Sequence, residues 1–351
     1  MNYIVFDLEW NQGREGKYGR KHEEIPFEII EIGAIKLDDN KNVIGEFHQL
    51  IKPSVYKNMH HITENMLHIH MDDLKRGKSF TEVMSDFLSW CGEDYLFCTW
   101  GSLDLLELQR NMRYHEMDPL ADGPICYLDI QKLYSIEFEE DKKSRRALEY
   151  AVDMLSVEKD IAFHRAFSDA YYTAKVLQKI AKDTEEYCSY DVFHLPSCKE
   201  DEIQKIFPSY AKYIFREFED KSAVIADREV LSTRCYICNK NARRKIKWFT
   251  SNGKHYYSVS YCEKHGYIKG KIRIRKGANT ASDSEKVYAI KTLKVISEEE
   301  MKEITEKRDH ARKQRQLKRK ATKKKNTKTF YSALVFFLFV AFLFNCLCFL
   351  A

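Results

Sequence analysis

Two carboxylates interrupt an otherwise apolar run near the start of the chain, Tyr3-Ile4-Val5-Phe6-Asp7-Leu8-Glu9. Alternate residues of a β-strand project from one face, so Asp7 and Glu9 point the same way from any strand formed there. Two like charges on an apolar strand are costly to bury unless cations neutralise them. The run therefore predicts a strand that carries a cation site.

The rest of the first half reads as layered α/β structure. Apolar runs at 3–8, 28–37 and 43–51 are expected to be strands, the last two joined by the turn Asp38-Asp39-Asn40-Lys41, which suggests an antiparallel meander. Further strands are expected at 95–100 and 126–130. Gly101-Ser102 precedes a helical pattern in which Leu103, Leu106 and Met112 fall near one face. Leu148, Val152 and Leu155 mark another helix, and 167–181 a third. Strands followed by alternating strand and helix give an α/β domain ending near residue 183. With 351 residues, 44% of them hydrophobic and 32% charged, the chain has room for at least one more domain, and wholesale disorder is excluded.

Two further acids and a histidine stand out. Asp104 opens a helix just after a strand, and Asp169 lies five residues beyond His164 in His164-Arg165-Ala166-Phe167-Ser168-Asp169. Carboxylates from separate elements can hold two divalent ions about 4 Å apart, and such a pair stabilises the attacking and leaving oxygens of a phosphodiester displacement. Oxygen ligands select Mg²⁺ or Mn²⁺ over softer metals. A neutral imidazole nearby can take a proton from water near neutral pH. Metal-assisted phosphodiester hydrolysis is the reaction class that follows.

Phe6-Asp7-Leu8-Glu9, Trp100-Gly101-Ser102-Leu103-Asp104, and His164 followed by Asp169 resemble the three motifs of the DEDDh 3′-to-5′ exonuclease superfamily. The resemblance covers residues 1–183. It implies a ribonuclease H-like fold with a five-stranded mixed sheet flanked by helices, Asp7, Glu9, Asp104 and Asp169 as ligands of two Mg²⁺ or Mn²⁺, and His164 as general base. Trp10 departs from proofreading-type members, which commonly have Thr after the Glu. Asp7-Leu8-Glu9-Trp10-Asn11-Gln12 is instead similar to bacterial relatives of RNA-trimming members, so single-stranded RNA 3′ ends are the expected substrate, ahead of DNA. Trp10 would either stack on a terminal base or pack in the core. His60, His61, His68 and His70 also cluster, and a polar region beside the cleft accounts for them more simply than a second metal site.

Cys235-Tyr236-Ile237-Cys238 and Cys262-Glu263-Lys264-His265 form two knuckles with a hairpin expected between them. Three thiolates and one imidazole are a closed tetrahedral set for one structural Zn²⁺; a redox-active or merely buried CxxC pair is the alternative. The surrounding residues 230–296 read as a small β-rich zinc domain. Its interleaved cations and aromatics, among them Arg243, Arg244, Lys247, Trp248, Tyr257, Arg273 and Arg275, suit nucleic-acid binding, although a solvated β-face would show the same residues. Residues 184–229 show helical periodicity around Tyr210, Tyr213, Ile214 and Phe218 and are expected to be a helical connector.

Charge is concentrated late. Residues 307–328 hold twelve Lys/Arg against Asp309, a local +11 within a whole-chain +5. The remainder is therefore acidic, at −6. Residues 297–329 are expected to form a solvated, basic helical stalk, and 330–351, 22 residues without a charge, a single transmembrane tail anchor. The positive-inside rule then places the catalytic domain in the cytoplasm at the cell membrane. The stalk would meet anionic lipid or RNA. The start of the chain lacks the basic leader and long apolar stretch of a signal peptide. A membrane-tethered exoribonuclease is the leading expectation, with a DNA exonuclease or a non-catalytic nucleic-acid-binding scaffold as alternatives.

Overall fold

Strand β1 (Asn2–Gln12) forms where the interrupted apolar run predicts it, and it is the central organiser of the first sheet. The computed structural model describes residues 1–13, 22–142, 144–181, 185–277 and 286–320. The chain divides into two units, Met1–Pro208 with Ile214–Glu217, and Ser209–Tyr213 with Phe218–Ala351.

In the first unit β1, β2 (Phe27–Leu37) and β3 (Val43–Leu50) make the expected antiparallel meander. A crossover through α1 (His61–Leu67), α2 (Met71–Leu74) and α3 (Phe80–Cys91) brings β4 (Tyr95–Thr99) parallel to β1. After α4 (Leu103–Tyr114), β5 (Cys126–Asp129) adds parallel to β4. Helices α5 (Ile130–Phe138), α6 (Leu148–Met154) and α7 (Ala166–Lys179) follow. The sheet has six strands rather than the expected five, in the order β3-β2-β1-β4-β5-β6. The extra strand, β6 (Ser189–Tyr190), is two residues long, too short for any hydrophobic period to announce it.

The pleat of β1 sorts its side chains into two layers. Ile4, Phe6 and Leu8 pack with Phe80 and Phe87 of α3 and Leu105 and Leu108 of α4. Tyr3 and Val5 face the other way, into a core with Leu133, Val152 and Val176 from α5, α6 and α7. Asp7 and Glu9 continue that second row, so they emerge on the side where α7 lies.

The helical connector expected at 184–229 is not what forms. Strands β7 (Ile203–Phe207) and β8 (Tyr210–Phe218) form within it, followed by the short helices α8 (Lys221–Ala226) and α9 (Arg228–Leu231). Tyr210, Tyr213, Ile214 and Phe218 fit a helical spacing by position, but aromatic and β-branched side chains favour strands, and Pro208-Ser209 supplies a turn.

In the second unit β9 (Arg243–Thr250), β10 (His255–Cys262), β11 (Gly266–Lys276) and β12 (Val287–Ile296) are successive antiparallel neighbours. Helix α10 (298–320) follows. It departs from the solvated stalk expected there. Ile304 and Ala311 are buried, and with Met301 they pack on Ile246, Phe249, Val259 and Ile296 of the sheet. Few apolar residues suffice, because 301, 304 and 311 recur on one helical face. The transmembrane tail expected at 330–351 lies outside the described residues, and no helix among those described is long and apolar enough to cross a membrane.

Docking of α10 is open to a direct check. Ile304→Asp should lower the thermal midpoint of the second unit and speed amide exchange across 298–311, at a cost on the order of 3 kcal/mol for a buried aliphatic lost. Leu317→Asp, at a position 59% exposed, should change neither.

Candidate active site

Asp7 and Glu9 of β1 stand directly opposite Gly33 and Glu31 of β2. Opposed residues of an antiparallel pair share a face, so these four positions form one patch beneath the start of α7. Gly33 is what allows the helix to come down onto that patch. A Cβ there would lie 2.1 Å from the Phe167 nitrogen and 2.3 Å from the Ala166 carbonyl carbon, so helix backbone fills the space of a side chain. Asp169, one turn into α7, then brings a carboxylate oxygen within 4.8 Å of oxygens from Asp7 and Glu9.

Asp104 lies beside this trio, in the first turn of α4. It is buried, the Leu8 backbone N–H donates to its carboxylate, and it exerts the largest charge effect on Asp7. The structure thus brings together all four predicted acids. Burial first, and repulsion from neighbouring acids with it, pushes Asp7 well above the carboxylate range, Glu9 up to about 8, Asp104 to about 7 and Asp169 to about 6. An all-oxygen donor set whose charges repel one another fits a hard divalent cation, which would relieve that repulsion.

His164 precedes the helix with a left-handed backbone, φ 67°, and its ring is solvent-exposed. Its backbone N–H reaches Asp169 Oδ1 at 3.4 Å. The histidine therefore lies at the rim of the acidic patch.

The sequence reading missed the residues that hold the rim in place. Glu31 is fully buried, yet it stays ionised. Desolvation would raise its pKa, but hydrogen bonds from His48 and Arg165 hold it below the usual value. Arg165 donates from Nε to Oε2 at 3.0 Å and from Nη2 to Oε1 at 2.7 Å, and His48 Nε2 meets Oε1 at 2.6 Å. Arg165 is the N-cap position of α7, so this bidentate pair pins the helix that carries Asp169 to the strand beside Glu9. A signal existed in the sequence, because Glu31 interrupts an apolar strand just as Asp7 does.

Other predicted residues divide. Trp10 is half-buried with its ring 5.5 Å from Phe27, packed at the core edge. The rings of His60 and His61 lie 4.6 Å apart and His70 meets Glu64 at 3.3 Å, but no metal-holding group among the described residues includes the four histidines.

The two knuckles converge. Cys235, Cys238, Cys262 and His265 present ligand atoms within 4.8 Å of one another. Cys235 Sγ is 3.4 Å from His265 Nδ1, Cys262 Sγ is 3.6 Å from it, and the Cys238 and Cys262 sulfurs are 3.7 Å apart. A tetrahedron of Zn–S bonds has edges of about 3.8 Å, so the set fits that ion. Although desolvation alone would raise it, backbone N–H groups of Lys264 and His265 and the His265 ring bring the Cys262 thiol down to about 6.

Of the cations and aromatics assigned to nucleic acid, Arg243, Arg244 and Lys247 are exposed on β9, and Arg273 and Arg275 line β11. Trp248 is the exception. Its indole N–H donates to the Leu231 carbonyl at 3.0 Å and its ring packs over Gly270, so it is structural rather than a stacking platform. Tyr257 lies under α10, with Lys307 Nζ 4.0 Å from its ring centre.

A family model described as an exonuclease of RNase T type matches residues 4–177. The PolC-type DNA polymerase III of Staphylococcus saprophyticus is 25% identical over 183 residues, covering 52% of this chain and 12% of the polymerase. That of Staphylococcus aureus is 23% identical over 214 residues, covering 60% and 14%. The chain thus spans roughly an eighth of the length of these relatives. Among solved structures, the nuclease domain of 3′hExo, a DEDDh family member, bound to rAMP, aligns with a TM-score of 0.45 at 17% identity, covering 54% of this chain and 96% of that one. A zinc-bound exonuclease I from E. coli in complex with single-stranded DNA gives 0.40 at 18%, covering 50% and 39%.

Carboxyls with raised pKa values bind more protons in the folded than in the unfolded state, so without metal the protein should lose stability as pH rises from about 4, where the unfolded carboxyls ionise, to about 8. Adding Mn²⁺ should raise the thermal midpoint, by more at pH 8 than at pH 6, and Asp7→Asn should remove most of that increment. An increment independent of pH contradicts the acidic cluster. Arg165→Met leaves Glu31 buried with His48 in place of its bidentate partner and should cost on the order of 3 kcal/mol. Combining it with Glu31→Gln should recover part of that loss in a double-mutant cycle.

Proposed function

We propose that this chain, whose residues 4–177 belong to the DEDDh 3′-to-5′ exonuclease superfamily, hydrolyses phosphodiester bonds at nucleic-acid 3′ ends, RNA foremost, while held at a membrane. The observation that carries the reading is the meeting of Asp7, Glu9 and Asp169 within 4.8 Å, with Asp104 beside them and His164 at their rim.

Two divalent ions held there would stabilise the charge developing on the attacking and leaving oxygens. The chain's own residues do the rest. Asp7 and Glu9 are fixed by the sheet, and Asp104 and Asp169 close on them from two helices. His164, exposed and free of the core, takes the proton of the attacking water. The Glu31–Arg165 pair keeps Asp169 and His164 in register with the strand.

The likeness of residues 7–12 to RNA-trimming members favours RNA. DNA is the second reading, favoured by the polymerase relatives of the first unit. A non-catalytic scaffold would tolerate a lost ligand, and all five motif positions are filled. In the second unit Cys235, Cys238, Cys262 and His265 would hold one structural Zn²⁺, which leaves no position for a reacting water. The uncharged stretch 330–351 behind twelve cations supports a membrane anchor with the nuclease on the cytoplasmic side.

Incubating the full chain with 5′-labelled RNA and DNA in Mn²⁺ should give ladders shortening from the 3′ end, faster for RNA. Asp7→Ala and Asp169→Ala should abolish them while leaving the circular-dichroism spectrum intact; full activity in either would refute the assignment. Metal analysis should find one zinc per chain, lost in Cys262→Ser. Removing 330–351 should release the enzyme from membranes, and a truncated form that still sediments with them would end the anchoring proposal.

A further inference from the structure

Strand β11 presents Lys269, Lys271, Arg273 and Arg275 at every second position of one face, while the intervening residues 268–274 are buried on the other. Helix α10 crosses the first end of that face, over Val259 and Tyr267. The register sets Tyr257 of β10, which lies under the helix, opposite Lys271, and His255, two residues further along, opposite Arg273. From the helix, Lys307 reaches across the Tyr257 ring at 4.0 Å. Desolvation and then the charges of Arg273, Lys271, Lys307 and Arg275 hold the His255 pKa below its usual value, so all four cations converge on one imidazole. No salt bridge among the described residues engages any of them. Positive charge concentrated without compensation is an anion-seeking surface.

Its shape selects the anion. Alternate residues of a strand are about 6.7 Å apart, so Lys271, Arg273 and Arg275 make a straight row of about 13 Å. Such a row suits successive phosphates of an extended single strand, and the ring of His255 beside it offers a face for a base. The row also lies in the inside corner between the sheet and a helix some 10 Å thick, which a chain can enter and a flat layer of lipid headgroups cannot. We propose that this face of β10 and β11 binds single-stranded nucleic acid. The choice of ligand rests on reading the first unit as a nuclease, but binding is measurable apart from cleavage.

The test uses the full chain carrying Asp7→Asn, so that substrate persists, and a fluorescein-labelled oligouridylate followed by anisotropy across a salt series. Lys271→Gln, Arg273→Gln and Arg275→Gln combined should weaken binding at least tenfold and reduce the slope of log affinity against log salt by about 2, three contacts at about 0.7 each. Zinc content and thermal midpoint should stay unchanged. An unaltered affinity and slope in the triple variant overturns the proposal. So does a variant that keeps its affinity for the oligonucleotide and instead loses flotation with phosphatidylserine–phosphatidylcholine vesicles, since the face would then be a lipid surface. If the natural chain cleaves nothing yet the triple substitution still lowers oligonucleotide affinity, the nuclease reading fails and this face stands.

Discussion

Repulsion among clustered, largely enclosed carboxylates governs the first unit. Asp7, Glu9, Asp104 and Asp169 are drawn together by a sheet and two helices whose apolar layers have nothing to gain from the charges. The folded chain thus stores an electrostatic cost that a divalent cation relieves. Glu31 shows the contrast. It is at least as buried as they are, but Arg165 and His48 satisfy it, and its pKa falls where theirs rise. One acid in the patch is a fastener and four are a trap for cations. The difference lies in their partners, not in their depth.

The position of α7 connects these roles. The helix backbone touches the sheet at Gly33, and its first residues are gripped by Glu31 through Arg165. Either feature alone leaves a degree of freedom: contact without the ion pair lets the helix slide, and the ion pair without contact lets it tilt. Together they fix where Asp169 arrives and where His164 leaves the chain. Metal-site geometry is therefore set by residues that need not touch the metal.

How much of this the sequence disclosed follows from locality. Asp7 and Glu9 were readable because two charges in an apolar strand violate its pattern within three residues, and Asp104, His164 and Asp169 because they fall in short motifs beside predicted element starts. Gly33 and Arg165 were not readable, since a glycine's missing side chain acquires meaning only when a helix 130 residues later lands on it. The β7 and β8 strands are not legible in the sequence, because their aromatic spacing fits two periods at once. The α10 contact leaves little trace in the sequence because so few apolar residues carry it. In the second unit the knuckles were legible from spacing, whereas Trp248 resembled a base-stacking residue until its indole proved to be bonded to Leu231.

The packing of α10 also sets a leash. Arg315 ties the helix to the sheet by donating to the Thr250 carbonyl, and the uncharged stretch begins at residue 330. The interval of 14 residues covers about 21 Å as helix and at most about 50 Å fully extended. If that stretch is embedded in a bilayer, as proposed, the sheet of the second unit patrols a shell no thicker than a few nanometres. A nucleic acid held on the β10–β11 face, as proposed, would then be kept within that distance of the bilayer surface.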